Sequence, residues 1–232
     1  MGRCGGEGRM KITNLTKRYR ETVALEDINL EFERGKVTAV LGESGSGKTT
    51  LLNAIAGLCD YEGKIEEAGN ISYLFQGSRL LPHLTVEGNL KFVLKKEEHA
   101  KVGEMLARVG LQGKGKRYPR ELSGGEERRV AIARALLFPH DTLLLDEPFS
   151  SLDLSIKRDL LALVTEICLE RQETVVFVTH DVREAALFAS RAIVIKGGKV
   201  IAELPIPAQY PRDFFTRYPE EEALERILIP AE

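Results

Sequence analysis

The sequence predicts an α/β fold: a parallel sheet covered by helices on both faces, an antiparallel β-subdomain ahead of it, and an α-helical subdomain inserted between its strands. Three observations carry this reading. The apolar runs "TLLLDEP", "TVVFVTH" and "RAIVIKG" alternate with helical stretches near 154–171 and 182–189, as strands buried on both faces do. Earlier, Ile28, Leu30 and Phe32 alternate with Asn29, Glu31 and Glu33, the period of a strand with one face in solvent. Between these regions, from 85 to 137, helix formers dominate in several short amphipathic segments.

Taken in order, "KITNLTKRY" and "VALEDINLEFERG" read as strands. "KVTAVLG" is a buried strand entering a glycine loop, and "KTTLLNAIAG" is the helix behind it, stopped by Gly57. A short strand pair is expected around 64–75, then the helical segment, then the parallel strands, with "KVIAELP" last. A proline-marked tail from Pro205 leads into "PEEEALERIL". Residues 1–9 read as a flexible leader, with Met10 as an alternative start. The expected organisation is therefore a domain over 10–204, its helical subdomain over about 78–140, and a tail over 205–232.

Composition excludes several classes. Lys and Arg total 33 against 35 Asp and Glu, a net charge of -2, which argues against a broadly basic nucleic-acid surface. The three cysteines, Cys4, Cys59 and Cys168, are odd in number and widely spaced, so they suggest neither a disulfide framework nor a zinc site, and fit a reducing cytosol. No apolar run approaches the ~20 residues of a spanning helix.

The chemistry is concentrated in a few strings. "GESGSGKT" fits G-x-x-x-x-G-K-[ST] through Gly42, Gly47, Lys48 and Thr49, between a strand and a helix. Glycines there let backbone N–H groups turn inward around phosphates, Lys48 neutralises the terminal ones, and Thr49 offers a hydroxyl to Mg2+. "TLLLDEP" ends a buried strand in Asp146, suited to a metal, and Glu147, suited to polarising a water. His180 in "VTHD" and Gln76 after "ISYLF" also stand at strand ends, where the ligand side of a parallel sheet lies. "LSGGEERR" holds a second phosphate-like string, Ser123, Gly124 and Gly125. The basic group Lys114, Lys116, Arg117, Arg120, Arg128 and Arg129 has one neighbouring aromatic, Tyr118, and reads as a solvated face.

The ordered set "GESGSGKTT", "LFQ", "LSGGE", "LLLDEP", "SSLD" and "VTHD" resembles the ATP-binding cassette (ABC) family of transporter ATPases over about 10–204. The resemblance implies a P-loop NTPase core of the ABC nucleotide-binding type. It implies ATP and Mg2+ at Gly42, Glu43, Ser44, Gly45, Ser46, Gly47, Lys48, Thr49 and Thr50, with adenine stacked on Tyr19. Thr49, Gln76 and Asp146 would serve the metal, Glu147 would act as base, and His180 would contact the terminal phosphate. Ser123, Gly124 and Gly125 would cover the nucleotide of a second copy, and Asp153 would connect the two sites. One departure is "EERR", where the family commonly carries glutamine or lysine and then arginine; it puts in doubt the charge tuning beside the second phosphate string.

The implied partners are a second copy in a head-to-tail dimer, integral membrane permease subunits and a substrate-binding protein, at the cytoplasmic face of the membrane and without nucleic acid. "GSRLLPHLTVEGNL" after Gln76 is similar to the nitrate, sulfonate and taurine importer group, which includes suppliers of vitamin precursors. The tail "PIPAQYPRDFF" is similar to that group's, and the regulatory domain of many sugar-importer ATPases is expected to be absent. Within transport the alternative is an exporter or a lipid- or division-associated system; outside it, a soluble cassette ATPase, disfavoured by the lack of long heptads or a second cassette.

Overall fold

The computed structural model describes residues 9–150, 152–207 and 212–228. The leader expected over 1–9 lies outside them except for Arg9, which already opens the first strand. Cys4, Ser151 and the tail residues 208–211 and 229–232 also lie outside.

Two sheets are built. β1 (Arg9–Tyr19) pairs antiparallel with β2 (Thr22–Glu33) on one side and β4 (Glu62–Glu66) on the other. In β2 the expected alternation holds: Ile28, Leu30 and Phe32 are buried and Asn29, Glu31 and Glu33 exposed. The second sheet contains β3 (Val37–Leu41), β5 (Ile71–Leu74), β6 (Thr142–Asp146), β7 (Thr174–Val178), β8 (Arg191–Lys196) and β9 (Lys199–Pro205). Its order is β5-β6-β7-β3-β8-β9, parallel from β5 through β8, with β9 antiparallel to β8.

Two expectations are corrected here. The segments near 64–75 do not pair with each other: β4 closes the antiparallel sheet and β5 forms an edge of the parallel one. "KVIAELP" extends the sheet as an antiparallel hairpin strand, because the "GG" turn at Gly197 and Gly198, both at positive φ, leaves no room for a crossover helix.

The central strands are buried on both faces, and alternate residues enter different cores. Val175 and Phe177 join Leu143, Leu145, Ala39 and Leu41 beneath α5 (Leu154–Arg171) and α6 (Val182–Phe188). Val176 and Val178 join Val40, Leu144 and Ile193 against α1 (Lys48–Ile55) and the inner face of the antiparallel sheet, where Met10, Ile12, Leu25 and Phe32 lie. Each of these side chains larger than alanine contributes about 1.5–3 kcal/mol on burial. The frame that presents the strand ends is thereby held from both sides.

The inserted helices are α2 (Val86–Lys91), α3 (Lys101–Arg108) and α4 (Gly124–Leu137). Thr85 caps α2 by accepting from Gly88 N–H at 3.1 Å. Fully buried Asn89 ties the preceding loop down: its Oδ1 accepts from Leu81 N–H, and its Nδ2 donates to the carbonyls of Leu81, Leu84 and Thr85. After the sheet, α7 (Pro219–Leu228) buries Leu224 against the same core as α6.

Candidate active site

The glycine loop runs from the end of β3 into α1, and its geometry requires glycine at two points. A Cβ on Gly42, at φ 154°, would lie 2.2 Å from the Ile195 carbonyl oxygen; one on Gly47, at φ 106°, would lie 2.4 Å from that of Ala24. The tip, Glu43, Ser44 and Gly45, is exposed, and a Cβ on Gly45 would meet nothing. Lys48 is buried and donates to the Gly42 and Glu43 carbonyls, both at 2.8 Å. Burial lowers its pKa, although Glu147 and Asp146 oppose the shift. Ser46 is also buried, and its Oγ has no hydrogen-bond partner among the described residues. A loop with an orphaned hydroxyl, a buried ammonium and open space at its tip fits a phosphate chain.

Three strand ends, those of β5, β6 and β7, supply the remaining groups, all on the carboxyl edge of the parallel sheet. Asp146 closes β6, and its Oδ2 accepts from Thr49 Oγ1 at 3.0 Å. Burial raises the Asp146 pKa, with the Thr49 bond acting against this. Glu147 follows at φ 47°, a left-handed conformation that costs a non-glycine residue about 1–3 kcal/mol. The turn is held by Glu147 N–H donating to Val178 O at 3.0 Å. It sends the two carboxylates in different directions: Asp146 toward Thr49, Glu147 toward His180 and Gln76. His180 Nδ1 lies 3.4 Å from Glu147 Oε1, and Gln76 Nε2 donates to Glu147 Oε2 at 3.3 Å. The structure thus brings together five of the sequence-predicted residues, Thr49, Gln76, Asp146, Glu147 and His180, at the mouth of the glycine loop.

The family model described as "ABC transporter" matches residues 25–150, more than half of the chain. The chain belongs to the ABC transporter family. It is 39% identical over 222 residues to the aliphatic sulfonates import ATP-binding protein SsuB 1 of Paracoccus denitrificans, covering 94% of this chain and 91% of that one. It is 42% identical over 207 residues to the sulfate/thiosulfate import ATP-binding protein CysA of a Synechocystis strain, covering 82% of this chain but 58% of that longer one. Among solved structures, it matches the dimeric structure of MJ0796, a bacterial ABC transporter cassette, with TM-score 0.78 and 31% identity over 86% of this chain and all of that one. This ABC ATPase therefore binds and hydrolyses ATP.

The implied Mg2+ fits the donors present. Thr49 and Asp146 form a hard oxygen pair beside the phosphate loop, and Mg2+ characteristically completes its shell with water and substrate phosphates. Among the described residues no cluster of three His, Cys, Asp or Glu suggests a different metal.

The remaining predicted residues of the ABC ATPase stand apart from this centre. Tyr19 ends β1, is about half exposed, and has the Lys17 ammonium 4.7 Å from its ring centroid; Lys17 in turn is paired with Asp60 at 2.8 Å. Ser123 caps α4, with Gly124 at its first turn, and both are exposed; Gly125 is half-buried. Ser123 Oγ accepts from Glu126 N–H at 3.3 Å, and Glu126 Oε2 accepts from Ser123 N–H at 3.0 Å. Asp153 caps α5 through its backbone, while its side chain makes no capping bond and is exposed.

Reading the basic group as a solvated face was wrong for two of its members. Arg128 is buried and donates to five backbone carbonyls: Pro148 from Nε (3.0 Å), Phe75 and Gln76 from Nη1 (2.5 and 3.0 Å), and Asp146 and Glu147 from Nη2 (2.7 and 2.6 Å). Burial lowers its pKa to about 10. Arg129 donates to the carbonyls of Val109 and Gly110, closing the end of α3 onto α4. The acidic pair in "EERR" is also engaged: Glu126 completes the cap and pairs with Lys114, and Glu127 accepts from Ser78 Oγ at 3.1 Å.

A second set escaped the sequence reading. Lys157 reaches Asp181 Oδ2 at 2.7 Å and Glu184 Oε1 at 2.5 Å, and Thr179 Oγ1 donates to Glu184 Oε2 at 2.5 Å. These residues flank His180 on both sides. The available signal was spacing: Lys157 lies one helical turn after Asp153, and Asp181 directly follows the histidine.

Proposed function

We propose that the chain is the ATP-hydrolysing subunit of an importer of sulfur oxyanions, sulfonates or sulfate, working as a head-to-tail pair at the cytoplasmic face of a membrane. Separate permease subunits and a substrate-binding protein complete it. The cargo reading rests on the names of the SsuB and CysA relatives and on the run after Gln76. No helix of the described residues is long and apolar enough to cross a membrane, so the transport path belongs to other subunits.

The observation that carries the catalytic reading is the contact of Glu147 with both His180 and Gln76 beside the phosphate loop. ATP lies with its base on Tyr19 and its phosphates in the loop, where Lys48 turns from its loop carbonyls to the terminal phosphates. Thr49 and Asp146 would hold Mg2+, which when bound would supply charge neutralisation for the phosphates. Glu147 accepts a proton from the attacking water; the water oxygen bonds to the terminal phosphorus while the bond to the ADP oxygen breaks. His180, aimed by Glu147, donates to the terminal phosphate as charge moves onto it. Ser123, Gly124 and Gly125 of a second copy close the site, so each surface of the pair supplies half of both sites.

The cargo test is uptake in proteoliposomes containing the chain with its permease and binding protein. ATP-dependent entry of radiolabelled alkanesulfonate or sulfate is expected. Entry of neither while ATP is still hydrolysed would remove the cargo assignment.

A further inference from the structure

The helix α4 carries two functional elements at opposite ends of one rigid stretch. Its cap and first turn are Ser123 and Gly124, both exposed, and Gly125, half-buried. Five residues on, about 7.5 Å along the axis, Arg128 spends all five of its N–H donors on the carbonyls of Phe75, Gln76, Asp146, Glu147 and Pro148. Those carbonyls belong to the two segments that present Gln76 and the carboxylates. The same helix grips the Gln76 segment twice more, through Glu127 with Ser78 Oγ and through Arg134, which donates to the carbonyls of Ser78 and Arg79 at 3.1 and 3.0 Å. A shift of α4 therefore cannot leave Gln76 and Glu147 where they were.

We propose that Arg128 is a positioning residue that couples the two sites of the pair: engagement of the partner's nucleotide by Ser123–Gly125 is transmitted through α4 and Arg128 to this chain's own Gln76 and Glu147. The inference rests on the head-to-tail reading above. Its chemical basis is the fork geometry of the guanidinium, which holds two backbone segments in fixed relation; a lysine ammonium has three donors on one atom and cannot span them.

The test is ATP hydrolysis as a function of ATP concentration for the parent and for Arg128→Lys, with binding of a fluorescent ADP analogue measured alongside. The parent is expected to show cooperativity approaching a Hill coefficient of about 2, the number of coupled sites. Arg128→Lys is expected to bring it toward about 1 and to lower kcat by at least about tenfold, with ADP-analogue affinity within about twofold because the phosphate loop is untouched. Should that variant not fold, Glu127→Ala cuts one of the other grips on the Gln76 segment without orphaning a buried carbonyl and must shift the Hill coefficient the same way. A fall in kcat or melting temperature with the Hill coefficient unchanged would overturn the coupling and leave Arg128 a packing residue. A pair that forms with ATP but shows a parent Hill coefficient of about 1 would also overturn it, and absence of any ATP-dependent pair would remove the head-to-tail reading together with this one.

Discussion

Glu147 bears the largest single burden, and its backbone shows it. It occupies a left-handed conformation that side chains avoid, held there by the Val178 carbonyl and by Arg128 on its own carbonyl. Replacing it with glutamine keeps size and shape but removes the proposed base, so Glu147→Gln is expected to lower kcat by about 10²–10⁴ with ATP affinity retained, measured by phosphate release and equilibrium binding. An unchanged rate would mean that another group takes the proton. Gly47 is the steric counterpart. In Gly47→Ala the new methyl meets the Ala24 oxygen at 2.4 Å in a left-handed backbone, which should cost about 3 kcal/mol and lower the melting temperature by roughly 6–12 °C. At this scale the residues proposed to touch phosphate, metal or water were legible, since such chemistry demands particular side chains at particular spacings. Arg128 was not, because a guanidinium bonded to five carbonyls of distant segments has the same local sequence as one in solvent.

Among the elements, strands were legible by period but not by partner. β4 and β5 are five residues or fewer each and separated by a short link, so a hairpin was the local expectation; the edges that claim them, β1 and β6, lie far away in sequence. The same blindness to non-local pairing hid the link between α5 and the His180 turn. Lys157, whose backbone N–H donates to Asp153 O at 2.8 Å, is held between Asp181 and Glu184, and burial raises the Glu184 pKa while the Lys157 ammonium opposes it. Lys157→Met fills much the same space but leaves two carboxylates without their cation, one of them nearly fully buried. Stability should fall by about 2–3 kcal/mol, toward the low end for a broken pair that is partly exposed, with a melting temperature roughly 5–10 °C lower by calorimetry. Because the network sets the turn bearing His180, kcat should fall further than ADP affinity. A stable, fully active Lys157→Met would show that the turn holds itself.

For the molecule as a whole, the chain carries two strings proposed to bind phosphate, and only one is assembled with the carboxylates. The glycine loop meets Thr49, Asp146 and Glu147; Ser123 and Gly124 face outward from α4, and the Asp153 side chain is exposed at the head of α5. Under the proposed head-to-tail reading, such an arrangement is half of an active site whose complement a second copy would supply, as two-fold self-association requires. The sequence order of the motifs suggested this pairing, whereas the internal wiring through Arg128 and Lys157 depends on contacts between segments distant in sequence. The most direct measurement of the account is the light-scattering mass of Glu147→Gln with and without ATP, repeated with Ser123→Arg added. Glu147→Gln should have the mass of two chains with ATP and one without it, and of one chain under both conditions once Ser123 is replaced; a pair that persists in the Ser123→Arg background would rule out closure by Ser123–Gly125.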